Sequence, residues 1–136
     1  MPTRIEHVAV AVADLDAALE TLAATWGFSA QSRERVDEQG VEEAMVSLGG
    51  SFLQLIAPTD GSSTVARFLE RRGEGLHHIA LEVDDLRATL ADLKAKGVPL
   101  IDEHPRVGGR GHEVAFVHPR GNLGLLVELV QRPRSG

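Results

Sequence analysis

LHHIALEVDDLRATLADL, residues 76–93, is a second copy of IEHVAVAVADLDAALETL, residues 5–22. At an offset of 71 the two share eight identities in eighteen, with Ile/Leu, Val/Ile and Val/Leu among the other pairs. So close a match within 136 residues signals an internal duplication. Each copy opens on a run rich in Val, Ile and Ala. That predicts one strand over Ile5–Val12 and another over Leu76–Val83. Asp14 and Asp85 follow where a helix N-cap belongs. Helices are expected over Leu15–Thr25 and Leu86–Lys96, with Leu15, Leu19 and Leu22 on one stripe and Leu86, Leu90 and Leu93 on the other. Gly27 and Gly97 then supply left-handed stops.

Beyond the helices both copies turn strand-like. The first offers Phe28–Val36, Glu43–Leu48 and Ser51–Pro58, with Gly49-Gly50 as a hairpin turn. The second offers Val98–Ile101, Glu113–Val117 and Leu123–Val130. Between the copies, DGSSTVARFLERRGEG should hold a short helix near Thr64–Arg71, started by Ser62 or Ser63. The expected organisation is a first βαβββ module over residues 1–60, a linker over 61–75 and a second βαβββ module over 76–136, together one domain. The fold class is α+β: two paired βαβββ modules whose curved mixed sheets enclose a cleft.

The totals narrow the function. Hydrophobic residues make up 43% and charged residues 25%, the balance of a globular chain. A net charge of −6 argues against nucleic acid as a partner. No cysteine is present, so disulfides and thiolate nucleophiles or ligands are excluded. No run approaches the ~20 apolar residues of a membrane span, and the first twelve residues lack the pattern of a secretory signal. A cytoplasmic location is expected, with no membrane partner.

The duplication singles out four side chains. His7 falls on His78, whereas His77 falls on Glu6. Gln54 in LQLIAP corresponds to Glu128 in VELVQRP after a three-residue shift that a loop can absorb. Taken singly, a strand histidine is more often a core or surface residue than a ligand, and a buried Gln usually satisfies a backbone group. Four metal-capable residues at equivalent positions, flanked by Val8, Leu53, Leu55, Ile79, Val127 and Leu129, are a stronger signal. A buried Glu128 needs a partner, and a cation is a good one. Two His, one Gln and one Glu make an N2O2 set with a single negative charge. A divalent cation there would stay electrophilic, as enolate stabilisation requires. Imidazole suits Co, Ni, Zn, Mn or Fe, and the oxygen donors tolerate Mg and Mn. His78 should therefore face the site and His77 away from it.

The stretches IEHVAVAV, DEQGVEEAM, FLQLIAP, VARFLERRGEGLHHIALEV, LKAKGVPLIDEHPR and GLLVEL, spread over roughly Thr3–Gln131, closely resemble the methylmalonyl-CoA epimerase family of the vicinal oxygen chelate (glyoxalase/bleomycin resistance/dioxygenase) superfamily. The resemblance implies interconversion of (2R)- and (2S)-methylmalonyl-CoA. It implies His7, Gln54, His78 and Glu128 as metal ligands, Glu38 (in DEQG) and Glu128 as the acid–base pair, and a homodimer. Co2+ is the first expectation for the cation, with Zn2+, Mn2+, Mg2+ and Ni2+ as alternatives. Glu38 also lies in an acidic stretch with Glu34, Asp37, Glu42 and Glu43, which without the resemblance reads as a solvated turn. ALETLAATWGF, HPRGNLGLL and VGGRGH depart from the family pattern while the ligand positions stay intact.

Arg71, Arg72, Arg106, Arg110 and Arg120 are candidates to meet CoA phosphates. His104, His112 and His118 lie in or beside turns and read as structural or exposed. Gly108, Gly109 and Gly111 suggest a mobile loop. Competing readings are a lactoylglutathione lyase of the glyoxalase I kind, against which EQGVEEAM argues, and a metal-free small-molecule-binding module of the same fold, against which the four ligand types argue. A protein-interaction domain has no positive support.

Overall fold

The computed structural model describes residues 1–133. The final three residues of the second expected module, 134–136, lie outside the described residues. The chain divides into two units, one spanning His7–His77 and the other combining Met1–Glu6 with the chain from His78 onward.

In the unit His7–His77, the elements are β1 (Pro2–Ala11, from His7 on), α1 (Leu15–Trp26), β2 (Ser32–Val36), β3 (Val41–Leu48), β4 (Ser51–Pro58) and α2 (Thr64–Arg72). Its strands run in the order β2-β3-β4-β1. Gly49 and Gly50 close the β3–β4 hairpin with φ of 56° and 91°, the left-handed pair that a two-residue turn demands. That turn pairs Leu48 with Ser51 and so Met45 with Gln54. β1 lies parallel to β4, with Ala9 opposite Gln54. Asp14 caps α1 by accepting from Ala17 N at 3.0 Å, and Gly27 ends it at φ 72°. Leu15 packs with Val12, Ala44, Leu55 and Ala57, and Leu19 and Leu22 join them, as the stripe predicts. Ser63 caps α2, whose Val65 packs with Ala9, Ala11, Val36, Val41 and Ile56.

In the other unit, the opening residues of β1 lie beside β5 (Gly75–Val83), followed in order by β8 (Val127–Gln131), β7 (Glu113–Val117) and β6 (Arg106–Val107). β5 runs parallel to β8, with Ala80 opposite Glu128. α3 (Leu86–Ala95) is capped by Asp85, which accepts from Ala88 N at 3.0 Å. It buries Leu86 and Leu90 with Val83, Ala115, Val117, Val127 and Leu129. Each unit thus buries its own apolar cluster beneath its own helix, the α+β arrangement expected of each βαβββ copy.

Several expected elements differ: the first strand runs Pro2–Ala11 rather than Ile5–Val12, and the strand expected from Glu43 begins at Val41. Val98–Ile101 is not a strand: Leu100 makes only an isolated bridge to Val117, because Pro99 has no N–H to give a ladder. The short strand of that region is β6 instead. The last strand begins at Val127 rather than Leu123, since Leu123 and Gly124 take φ of 60° and 83° and turn the chain. Similarly, the strand expected from Phe28 begins at Ser32.

Candidate metal centre

Strand periodicity aims the four singled-out residues. His78 and Ala80 share a face of β5, and Ala80 stands directly opposite Glu128 on β8. His78 Nε2 lies 3.4 Å from Glu128 Oε1. Both residues are buried, and Ala80 is completely so. Its methyl side chain is what leaves the imidazole and carboxylate room to meet. Phe116, opposite Glu128 in the β7–β8 ladder, supports the imidazole edge-on with ring centroids 5.4 Å apart.

The other unit repeats the pattern. His7 and Ala9 share a face of β1, and Ala9, also fully buried, stands opposite Gln54. The histidine two residues before the alanine is the same in both copies. The three-residue shift in sequence therefore disappears in space. Gln54 is buried and donates from Nε2 to Glu43 Oε2 at 2.9 Å. Its Oε1 is also buried, with no hydrogen-bond partner among the described residues. A buried acceptor left without a donor costs about 1–3 kcal/mol. An oxygen ligand to a cation would recover that cost. Each unit thus offers one buried imidazole and one buried oxygen donor, residue types that suit a divalent cation with mixed nitrogen and oxygen preference.

His77 turns the other way, packing edge-on to Phe68 of α2 at 4.9 Å. Glu38 sits in a single 3₁₀ turn, Asp37–Gln39, with its side chain exposed. Gly40 closes that turn at φ 66°, and a Cβ there would meet Asp60 Oδ2 at 2.9 Å, so glycine is favoured. Asp60 is itself held by the Ser62 hydroxyl at 2.7 Å and the Ser62 N–H at 2.9 Å. These bonds pull its carboxyl below the ordinary aspartate value.

Glu43 was not among the residues singled out by the sequence. Its buried bond to Gln54 follows from the Gly49-Gly50 register, which places it on the face of Val41 and Met45. Arg110, one of the arginines weighed for CoA phosphates, is engaged within the protein. It takes φ 57° between glycines, and its Nη2 lies 2.9 Å from both carboxylate oxygens of buried Glu6. The glycine-rich loop is thus anchored at its centre. Among the arginines weighed for phosphates, Arg72 lies over Phe68, and Arg106 lies over Phe116 and beside Asp102. His118 shapes its turn by accepting from Arg120 N at 3.0 Å.

A family model for the Glyoxalase/Bleomycin resistance protein/Dioxygenase superfamily matches residues 6–116. The human mitochondrial methylmalonyl-CoA epimerase is 36% identical over 129 residues, covering 94% of this chain and 73% of the relative. An ethylmalonyl-CoA/methylmalonyl-CoA epimerase of Cereibacter sphaeroides is 35% identical, covering 94% and 97%. A solved methylmalonyl-CoA epimerase in complex with methylmalonyl-CoA and NH4+ is 42% identical, with a TM-score of 0.92 over 96% of this chain and 95% of that one.

Proposed function

The chain belongs to the methylmalonyl-CoA epimerase family of the glyoxalase/bleomycin resistance/dioxygenase superfamily, and on that premise we propose that it interconverts (2R)- and (2S)-methylmalonyl-CoA. The observation that carries this reading is the shared register: in each unit a buried histidine lies two residues before a fully buried alanine that faces an oxygen donor, Gln54 or Glu128. His7, His78 and Glu128 are a buried group suited to holding a metal ion, and Gln54 adds the orphaned oxygen. These four residues would hold a divalent cation, Co2+ first. When bound, the cation supplies a positive charge against which the thioester oxygen can accept electron density.

Epimerisation removes the proton from the α-carbon on one face and returns one on the other. The C–H electron pair passes into the thioester carbonyl and back again. Glu38 and Glu128 would exchange the roles of base and acid with the direction of reaction. Glu38, exposed on its glycine-locked turn, is free of the charge that a cation would impose on Glu128. A carboxylate beside a cation is the weaker base, so Glu38 is assigned the harder abstraction. Ala80 and Phe116 act by packing, holding Glu128 and His78 at their mutual distance.

A homodimer, following the family resemblance, completes the proposal. Among the described residues no helix is long and apolar enough to cross a membrane. The test is α-proton exchange of (2S)-methylmalonyl-CoA in deuterated water with the metal-loaded protein, using methylglyoxal–glutathione as the control substrate. Exchange on the first and inertness toward the second are expected. Turnover of the control alone would favour the lyase reading.

A further inference from the structure

We propose that the turn over residues 118–124 receives the CoA arm of the substrate: Leu123 packs against the pantetheine chain and Arg120 meets the diphosphate. The inference rests on the acyl-CoA reading above and deepens it, by naming where the part of the substrate remote from the reacting carbon is held.

Leu123 is the anomaly. Its backbone takes φ 60°, in the left-handed region that a bulky side chain rarely adopts. A single exposed leucine is ordinary on a protein surface. This one is fully exposed, at 103%, so no packing of its side chain offsets the strained backbone. The strain is held in place by the turn around it. Gly121 N–H donates to His118 O at 3.0 Å, Asn122 and Gly124 N–H both donate to Pro119 O at 3.0 and 2.9 Å, and Leu125 N–H donates to Asn122 O at 2.9 Å. Gly121 also seats the turn on the chain before it, where a Cβ would meet Pro99 Cδ at 2.8 Å. Asparagine or glycine would hold position 123 with less strain. An apolar side chain presented to solvent on so fixed a turn gains free energy only when something covers it.

The position of the turn points to the occupant. It closes the β7–β8 ladder at the end where Phe116 stands opposite Glu128 and Val117 opposite Val127. Ile79, next to His78, donates its N–H to Leu126 O at 3.2 Å, just past the turn. Leu123 precedes Glu128 by five residues, so their backbones lie at most about 18 Å apart. A pantetheine arm whose thioester lies at Glu128 reaches that far. Arg120 stands three residues before Leu123 on the same turn, exposed and in no ion pair among the described residues. Its backbone is set by the N–H that His118 Nδ1 accepts at 3.0 Å. Arg106 and Arg110, the other arginines of this unit weighed for phosphates, are engaged by Asp102 and Glu6. On a chain of net charge −6, an unpaired arginine beside an exposed leucine suits a ligand with an apolar arm and an anionic end. A second copy of this chain would account for the leucine alone.

The test compares two substrates that share the reacting end, methylmalonyl-CoA and methylmalonyl-pantetheine, in steady-state kinetics with the Co2+-loaded protein. Calorimetric titration of CoA itself accompanies it and needs no turnover. Leu123→Asn keeps the left-handed backbone and removes the apolar surface. Its KM is expected to rise at least about fivefold on both substrates, with kcat within about twofold of the parent. Arg120→Gln is expected to raise KM about five- to tenfold on methylmalonyl-CoA and to leave methylmalonyl-pantetheine unchanged, because only CoA carries the phosphates. Both variants should bind CoA at least about fivefold more weakly than the parent. Leu123→Asn should unfold at the parental temperature or above it, since asparagine tolerates the left-handed region. Parental KM and parental CoA affinity in the variants overturn the inference. Parental CoA affinity in a Leu123→Asn protein that sediments as a smaller species also overturns it, and assigns the leucine to a second copy. Equal effects of Arg120→Gln on the two substrates overturn the diphosphate contact. A parent that does not bind CoA overturns the inference whatever its activity. A parent that binds CoA, with the stated losses in both variants, but exchanges no α-proton upholds the CoA site and overturns the epimerase reading.

Discussion

Replacing the two adjacent histidines one at a time should separate ligand from scaffold. His78 is buried, 3.4 Å from Glu128, and is assigned as a direct donor to the cation. Loss of an outer-shell partner costs roughly 10- to 100-fold in metal affinity. A direct donor should cost more, so His78→Ala is expected to weaken Co2+ binding by over about 100-fold, which is about 2.7 kcal/mol. His77 makes no claim on the metal. It packs edge-on to Phe68 at 4.9 Å, a contact worth about 0.5–1.5 kcal/mol. For a chain of this size that is a fall in Tm of about 2–6 °C. His77→Ala should show that shift and keep Co2+ affinity within about threefold, because neighbouring side chains on a strand point to opposite faces. The assay is calorimetric titration of Co2+ into each variant, with thermal unfolding of the metal-free proteins alongside. Equal loss of affinity in both variants would refute the reasoning. It would mean that the strand register is displaced by one residue, which exchanges the two faces.

Two further outcomes are expected. Glu38→Gln should lower kcat by roughly 10²–10⁴, the usual contribution of a general base, while Co2+ affinity stays at the parental level; a parallel loss of metal would show that Glu38 acts on the site and not on the substrate. Ser62→Ala removes the hydroxyl that depresses the Asp60 carboxyl. A depressed carboxyl adds stability above its unfolded value of 3.8 and loses it as pH falls toward and through the folded value. The parent should therefore lose more stability than Ser62→Ala between pH 5 and pH 3 in acid-unfolding titrations, and identical curves would remove Asp60 from the account.

Much of the fold was legible because the repeat supplied its own control. Asp14 and Asp85, the leucine stripes and the Gly49-Gly50 turn each carry a local physical instruction, and β4 occupies Ser51–Pro58 as read from the sequence. The failures lie where backbone chemistry overrides an apolar run. Pro99 denies the Val98–Ile101 stretch a ladder, and the left-handed turn at Leu123-Gly124 delays the final strand. At the site, the equivalence of Gln54 and Glu128 was readable only up to a three-residue shift. The ladders resolve it, since each partner is an alanine two residues beyond a histidine. Glu43 passed unnoticed among four acidic neighbours, although the hairpin register already placed it on the face of Gln54. Arg110 was weighed only for phosphates, and its bond to Glu6 was not legible because the two are 104 residues apart in sequence.

The measurement that bears most directly on the proposed activity is proton exchange at the α-carbon of (2S)-methylmalonyl-CoA, followed by NMR in deuterated water with the Co2+-loaded protein. The account predicts loss of the α-proton signal together with appearance of the (2R) form, and neither process with the metal-free protein. An α-proton that survives incubation with the Co2+-, Mn2+-, Zn2+- and Mg2+-loaded forms alike would contradict it.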